Sequence, residues 1–222
     1  MIKRIIILCI GIVIVITLRL PKISFATEQN LELQKKIFQQ EEKKEQERLR
    51  ERVPVLIKKL KEMKDGTKFF EILDLGTSKD PRAIEPLADV MLNSTDSQER
   101  AFAAQRLSVF HDKRTIPAYK KAILDSNLKV RYEAAYAIGR ITDAQQDVLL
   151  ACQTLKELAK DGYAQSITPI LIFKKNKKIS KDYTEHFLLE CLEYSDEEVR
   201  VSAAGTLKIW GITNQNIDTI IE

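Results

Sequence analysis

The stretch Asn127-Leu128-Lys129-Val130-Arg131-Tyr132-Glu133-Ala134-Ala135-Tyr136-Ala137-Ile138 decides the fold. Its apolar residues follow a helical period. Val130, Ala134, Ala137, Ile138 and Ile141 fall on one face at spacings of three, four and seven. Asn127 stands where a side-chain oxygen accepts from the free amides of a first helical turn. The same pattern occurs 31 residues earlier, from Asp96 through Arg100, Ala103, Ala104 and Leu107. It occurs again 69 residues later, from Asp196 through Arg200, Ala203, Ala204 and Leu207. The larger offset is two periods of about 34 or 35 residues. The intervening copy begins at Asp161 and carries Thr168-Pro169 in place of the alanine pair. A proline inside that helix is expected to kink it. An earlier copy begins at Asp65, with Ile72 and Leu73 at the alanine positions.

A second helical stripe precedes each of these. Ile84, Leu87, Ala88 and Met91 form one, and Ile116, Tyr119 and Ile123 another. Asp80-Pro81-Arg82-Ala83-Ile84 matches Asp112-Lys113-Arg114-Thr115-Ile116 at an offset of 32. Pro86 and Pro117 lie near helix starts, where a missing amide costs little. The unit is therefore helix, turn, helix. One such pair cannot bury its apolar face alone, so the pairs must stack.

These residues resemble the HEAT repeat, in the short form of the phycobilisome-lyase type. The resemblance covers residues 53–212 and implies an all-α fold, a right-handed α-solenoid of about five helix pairs. It implies that Asp96, Arg100, Asn127, Arg131, Asp196 and Arg200 form a structural ladder within and between repeats. Gln165 stands at the arginine position of the fourth repeat, which puts the ladder in doubt there. In the family, second helices line a concave surface. Tyr132 and Tyr136 point away from Ala134 on the wheel, with Lys129 and Arg140 beside them and Gln105 at the register of Tyr136. These five are the protein-binding candidates. The other reading of the tyrosines is packing on a neighbouring repeat or plain surface cover. Trp210 shares the wheel position of Ile141 and is expected in the core.

Outside the array, Lys3 and Arg4 precede fourteen uncharged residues, 5–18, and Ser24-Phe25-Ala26 offers small residues at a cleavage site. Residues 1–26 read as a signal peptide. The alternative is a membrane anchor over residues 2–20, with Arg19 and Lys22 as the awkward flanks. The chain is therefore expected in the periplasm, the cell envelope or the medium. Residues 27–52 carry seven acids and seven bases without Gly or Pro. They read as a charged helical spacer, because apolar positions are too few to sustain the alternative, a coiled coil. Residues 213–222 are a C-terminal tail.

The formal net charge is +4, from 36 Lys and Arg against 32 Asp and Glu. Lys3, Arg4, Arg19 and Lys22 account for all of it, so a processed chain is formally neutral. Seven glycines include no Gly-x-Gly pair, and there are two histidines. No catalytic, cofactor or metal residues are assigned. His111 and His186 read as surface or turn residues. Lys174-Lys175-Asn176-Lys177-Lys178 is the one basic run, either an anion contact or a solvated loop. Cys152 and Cys191 are expected to be small buried thiols, though an exported chain allows a disulfide.

The expected function is a non-catalytic protein-binding scaffold, monomeric, without cofactor and without nucleic acid. It would touch membrane only through an uncleaved N-terminus. The alternatives are a HEAT-like lyase or hydroxylase and a nucleic-acid-binding HEAT protein.

Overall fold

A computed structural model describes residues 25–212 together with Ile217, Thr219 and Ile220; the proposed export segment lies almost wholly outside them. Ten α-helices and no strand occur among the described residues. No helix among them is long and apolar enough to cross a membrane. The chain divides into two compact units, Met1–Glu45 and Gln46–Glu222.

In the first unit, the chain from Phe25 is helical, as the helix-forming, charge-mixed composition expects. Leu33, Ile37 and Phe38 are exposed, and Lys35 pairs with Glu32 one turn away.

The second unit holds the repeats. It opens on the C-terminal part of helix α1 (Phe25–Glu62). Leu49, Val53, Leu56 and Leu60 are buried at spacings of four, three and four. Leu49, one turn ahead of the expected start of the array at Val53, is thus buried as well. Pro54 lies inside α1 and leaves the Arg50 carbonyl without its helical donor. The Arg82 guanidinium supplies the missing bond at 3.0 Å, while Arg50 itself donates to the Ser78 carbonyl.

The remaining helices are α2 (Phe69–Ser78), α3 (Ile84–Asn93), α4 (Ser97–Leu107), α5 (Ile116–Ala122), α6 (Leu128–Ile141), α7 (Gln145–Lys160), α8 (Ile167–Lys175), α9 (Lys181–Cys191) and α10 (Glu197–Ile209). Odd-numbered helices are the first of each pair and even-numbered ones the second. From α3 onward each first helix packs on its own second helix. The second helices also touch in series, α2 on α4, α4 on α6, α6 on α8, α8 on α10. This is an all-α, HEAT-like solenoid of five pairs.

The alanine pairs explain the close series. Ala103, Ala104, Ala134, Ala135, Ala203 and Ala204 are all fully buried. Gly139 takes the approach further: a Cβ there would lie 2.0 Å from the ring of Phe173 on α8, itself fully buried.

Three local expectations are corrected. Asp161 does not cap the second helix of the fourth repeat; it ends α7. A 3-10 turn, Ala164–Ser166, follows it, and α8 starts only at Ile167. Pro169 consequently lies in the first turn of α8, where no intrahelical donor is needed, and the helix is not broken. Asp65 likewise caps nothing in its own repeat. It accepts from the amide and hydroxyl of Thr95 in the next. Trp210 is half-buried at the end of α10 rather than enclosed in the core.

Cys152 and Cys191 are buried free thiols, and burial pushes both up to about 12. Alkylation of the folded chain at pH 8 should therefore be slow at both, and complete once urea is added. Rapid labelling of either in the native protein would contradict their enclosure.

Gly139→Ala should lower stability by about 3 kcal/mol, because the methyl overlaps the fully buried Phe173 ring, which must be displaced to admit it. A methyl at Gly205 meets nothing within 4 Å. Gly205→Ala should accordingly stabilise by about 0.5–1 kcal/mol through helix propensity alone. Urea melts followed by circular dichroism distinguish the two; equal effects would contradict the packing.

Candidate protein-binding face and the repeat ladder

The caps are as the repeat pattern requires. The Asp96 carboxylate accepts from the amides of Gln98 and Glu99. Asn127 accepts from Lys129 and Val130, and Asp196 from Val199. These bonds stay within one repeat. The links between repeats run from the arginines to different acids. Arg100 grips Asp125 of the third repeat with two bonds of 2.7 and 2.9 Å. Arg131 reaches Asp161 of the fourth at 3.0 Å. Arg200 donates to the carbonyls of Tyr194 and Ser195 in its own turn. Gln165 accepts from the Tyr163 hydroxyl instead of reaching the fifth repeat, so the ladder stops there.

Asp125 and Glu99 were missing from the sequence reading. Glu99 is fully buried and accepts from the Lys68 amide of the first repeat at 2.5 Å and from the Ser94 hydroxyl. Asp125 stands two residues before the Asn127 cap, which is the signal that could have found it. Burial pushes its carboxyl up, but the Arg100 guanidinium and the Asn127 amide outweigh burial and hold it below the usual range.

A depressed carboxyl stabilises the fold above its unfolded value of about 4, and that contribution fades as pH falls through the folded value. Asp125→Asn should thus cost about 2 kcal/mol at pH 7. The gap to the wild type should shrink on going to pH 3, as measured by urea melts at the two pH values. A gap unchanged with pH would contradict the assignment.

The five protein-binding candidates lie on the second helices. Lys129, Arg140 and Gln105 are exposed, and Tyr132 and Tyr136 are half-buried. The tyrosine rings lie 6.2 Å apart. Each also meets the fourth repeat: Tyr132 lies 5.4 Å from Tyr163, and Tyr136 stacks on Phe173 at 6.4 Å. The pair is therefore part of the seam between repeats as well as part of the surface. Burial, then the Glu133 carboxylate, push the Tyr132 hydroxyl up to about 12. Glu133 is itself buried, which raises its carboxyl, with Lys129 and Arg106 acting in the opposite sense.

A regularity emerges along this face that the sequence reading overlooked. Arg106 lies over the Phe102 ring at 5.1 Å, Arg140 over Tyr136 at 5.3 Å, and Lys174 over Trp210 at 4.3 Å. The three cations are 34 residues apart, one in the last turn of each of α4, α6 and α8. Phe69 extends the row onto α2, 5.8 Å from Phe102. Arg140 also bonds His111 at 3.2 Å, and burial together with the Arg140 charge holds that imidazole below its ordinary value. On the first-helix side, α7 and α9 border a separate cavity of about 780 Å³, lined by Leu149, Tyr183, Tyr194, Lys156 and Glu190 among others.

The class of protein is now defined: a helical-repeat scaffold whose pairs stack through small residues. The family model for HEAT repeats matches residues 84–168, from the start of α3 into α8. Residues 84–168 are thus HEAT repeats. No curated protein matches the chain.

Proposed function

We propose that the chain is a non-catalytic scaffold, exported from the cytoplasm, that holds another protein on the concave face formed by α2, α4, α6, α8 and α10. The row of cation–aromatic pairs, Phe102 with Arg106, Tyr136 with Arg140 and Trp210 with Lys174, carries this reading. Aromatic and arginine side chains supply most of the energy at protein interfaces, since they bury large areas at little entropic cost. A stacked guanidinium keeps its outer donors available while its plane rests on the ring. A row of such groups suits a partner segment that carries carboxylates beside apolar side chains. The N-terminal 26 residues supply the address, as a cleaved signal or as an anchor. The scaffold acts as a monomer and uses no cofactor.

The test uses Lys129→Glu combined with Arg140→Glu. Both side chains are exposed, so helicity should be unchanged. Capture of the partner from the native envelope fraction should fall at least about tenfold relative to the wild-type chain. Undiminished capture with intact helicity would remove the face from consideration. Mass analysis of the exported chain tests the address; a species starting at Thr27 is expected for cleavage.

A further inference from the structure

The turn that joins α8 to α9 carries a lysine cluster that shares only Lys174 with the proposed protein-binding row. Lys174, Lys177, Lys178 and Lys181 line one cavity of about 510 Å³, with Ile179 and Tyr183 on its apolar side. No carboxylate is among its lining residues. Lys178 is a strut: its ammonium donates to the Thr142 carbonyl at 2.8 Å and pairs with Asp143 at 3.1 Å. The Lys174 ammonium rests on the Trp210 ring. Lys177 and Lys181 are exposed, and neither they nor Lys174 pairs with a carboxylate among the described residues. Like charges gathered around one cavity repel, and a bound anion turns that repulsion into attraction.

The backbone supplies a second observation. Lys177 sits in the left-handed region, at φ 58°, just past the end of α8. The same position one period later, past the end of α10, is Gly211 at φ 72°. A side chain in this conformation costs on the order of 1 kcal/mol relative to glycine. Lys79 and His111 hold the same conformation past the second helices of the first two repeats, so this helix ending recurs along the array, and in the fourth repeat it places a cation at the rim of the cavity. The volume is large for a single inorganic phosphate. It suits a diphosphate or a phosphate carrying a small organic group, for which Ile179 and Tyr183 offer apolar contact.

We propose that this cavity binds a phosphate-bearing anion of about diphosphate size, with Lys174, Lys177 and Lys181 as its charge partners and Lys178 as the strut that fixes the turn. The phosphate is either free in solution or borne on a lipid headgroup.

Trp210 is the only tryptophan of the chain, and its contact with Lys174 makes it a built-in reporter. The full chain is titrated with sodium pyrophosphate at constant ionic strength while Trp210 emission is read. A saturable change is expected, weakened about tenfold or more in Lys177→Gln combined with Lys181→Gln. Lys113→Gln, on another inter-repeat turn, should respond as the wild type does. Flotation with phosphatidylglycerol vesicles identifies the source. Flotation that falls in the double variant and is competed by pyrophosphate supports a lipid-borne phosphate. A pyrophosphate response with flotation equal in both proteins supports a free one. Absence of a saturable change in the wild type, or an equal response in the double variant, overturns the proposal.

Discussion

Ala103-Ala104 on α4, Ala134-Ala135 and Gly139 on α6, and Ala203-Ala204 on α10 let second helices lie against one another with almost nothing between them. Everything else in the array depends on that spacing. A helix pair of this length has too little apolar surface to fold alone, so each repeat is stable only when the next covers it. Small residues at the contact set the distance between neighbours, and the distance sets which side chains can bridge them. At Gly139 the fit is tightest, because the ring of Phe173 occupies the volume that a β-carbon would take.

Given that spacing, the charged groups separate into two kinds. Arg100 and Arg131 each cross to an acid in the following repeat, and Glu99 reaches back to the preceding one. Little of the Arg100–Asp125 pair is exposed, so its bonds fix the register of one repeat against the next. Arg106, Arg140 and Lys174 do something different. They lie over aromatic rings at the far end of the second helices, where a cation also complements the carbonyl end of the helix. The first set holds the array together, and the second set gives its face a chemistry.

The legibility of the fold followed from how local each signal was. The buried alanine pairs, the caps at Asp96, Asn127 and Asp196, and the prolines at helix starts are all decided within a few residues, and each was readable. The fourth repeat was harder. Its Asp161 aligned with the other caps by period, yet the Asp161-Gly162 turn and a 3-10 segment delay α8 until Ile167. That delay moves Pro169 from a helix interior to a first turn, and a proline that seemed disruptive by spacing is harmless by position. Likewise, Asp65 matched a cap by offset but serves Thr95 across the repeat boundary.

The sequence by itself determined the class of fold, the number of helix pairs and the faces they bury, because a period of 31–35 residues and a helical apolar stripe follow from chain-local physics. It also located the surface candidates Lys129, Arg140 and Gln105. Only the tertiary structure decided which acid each arginine meets. It alone decided that Tyr132 and Tyr136 belong partly to the seam with the fourth repeat, and that Lys174 rests on Trp210 beside a lysine-lined cavity. Those relations depend on the distance and rotation between successive repeats. These are set by side-chain volumes at contacts such as Gly139 with Phe173, between residues far apart in the chain.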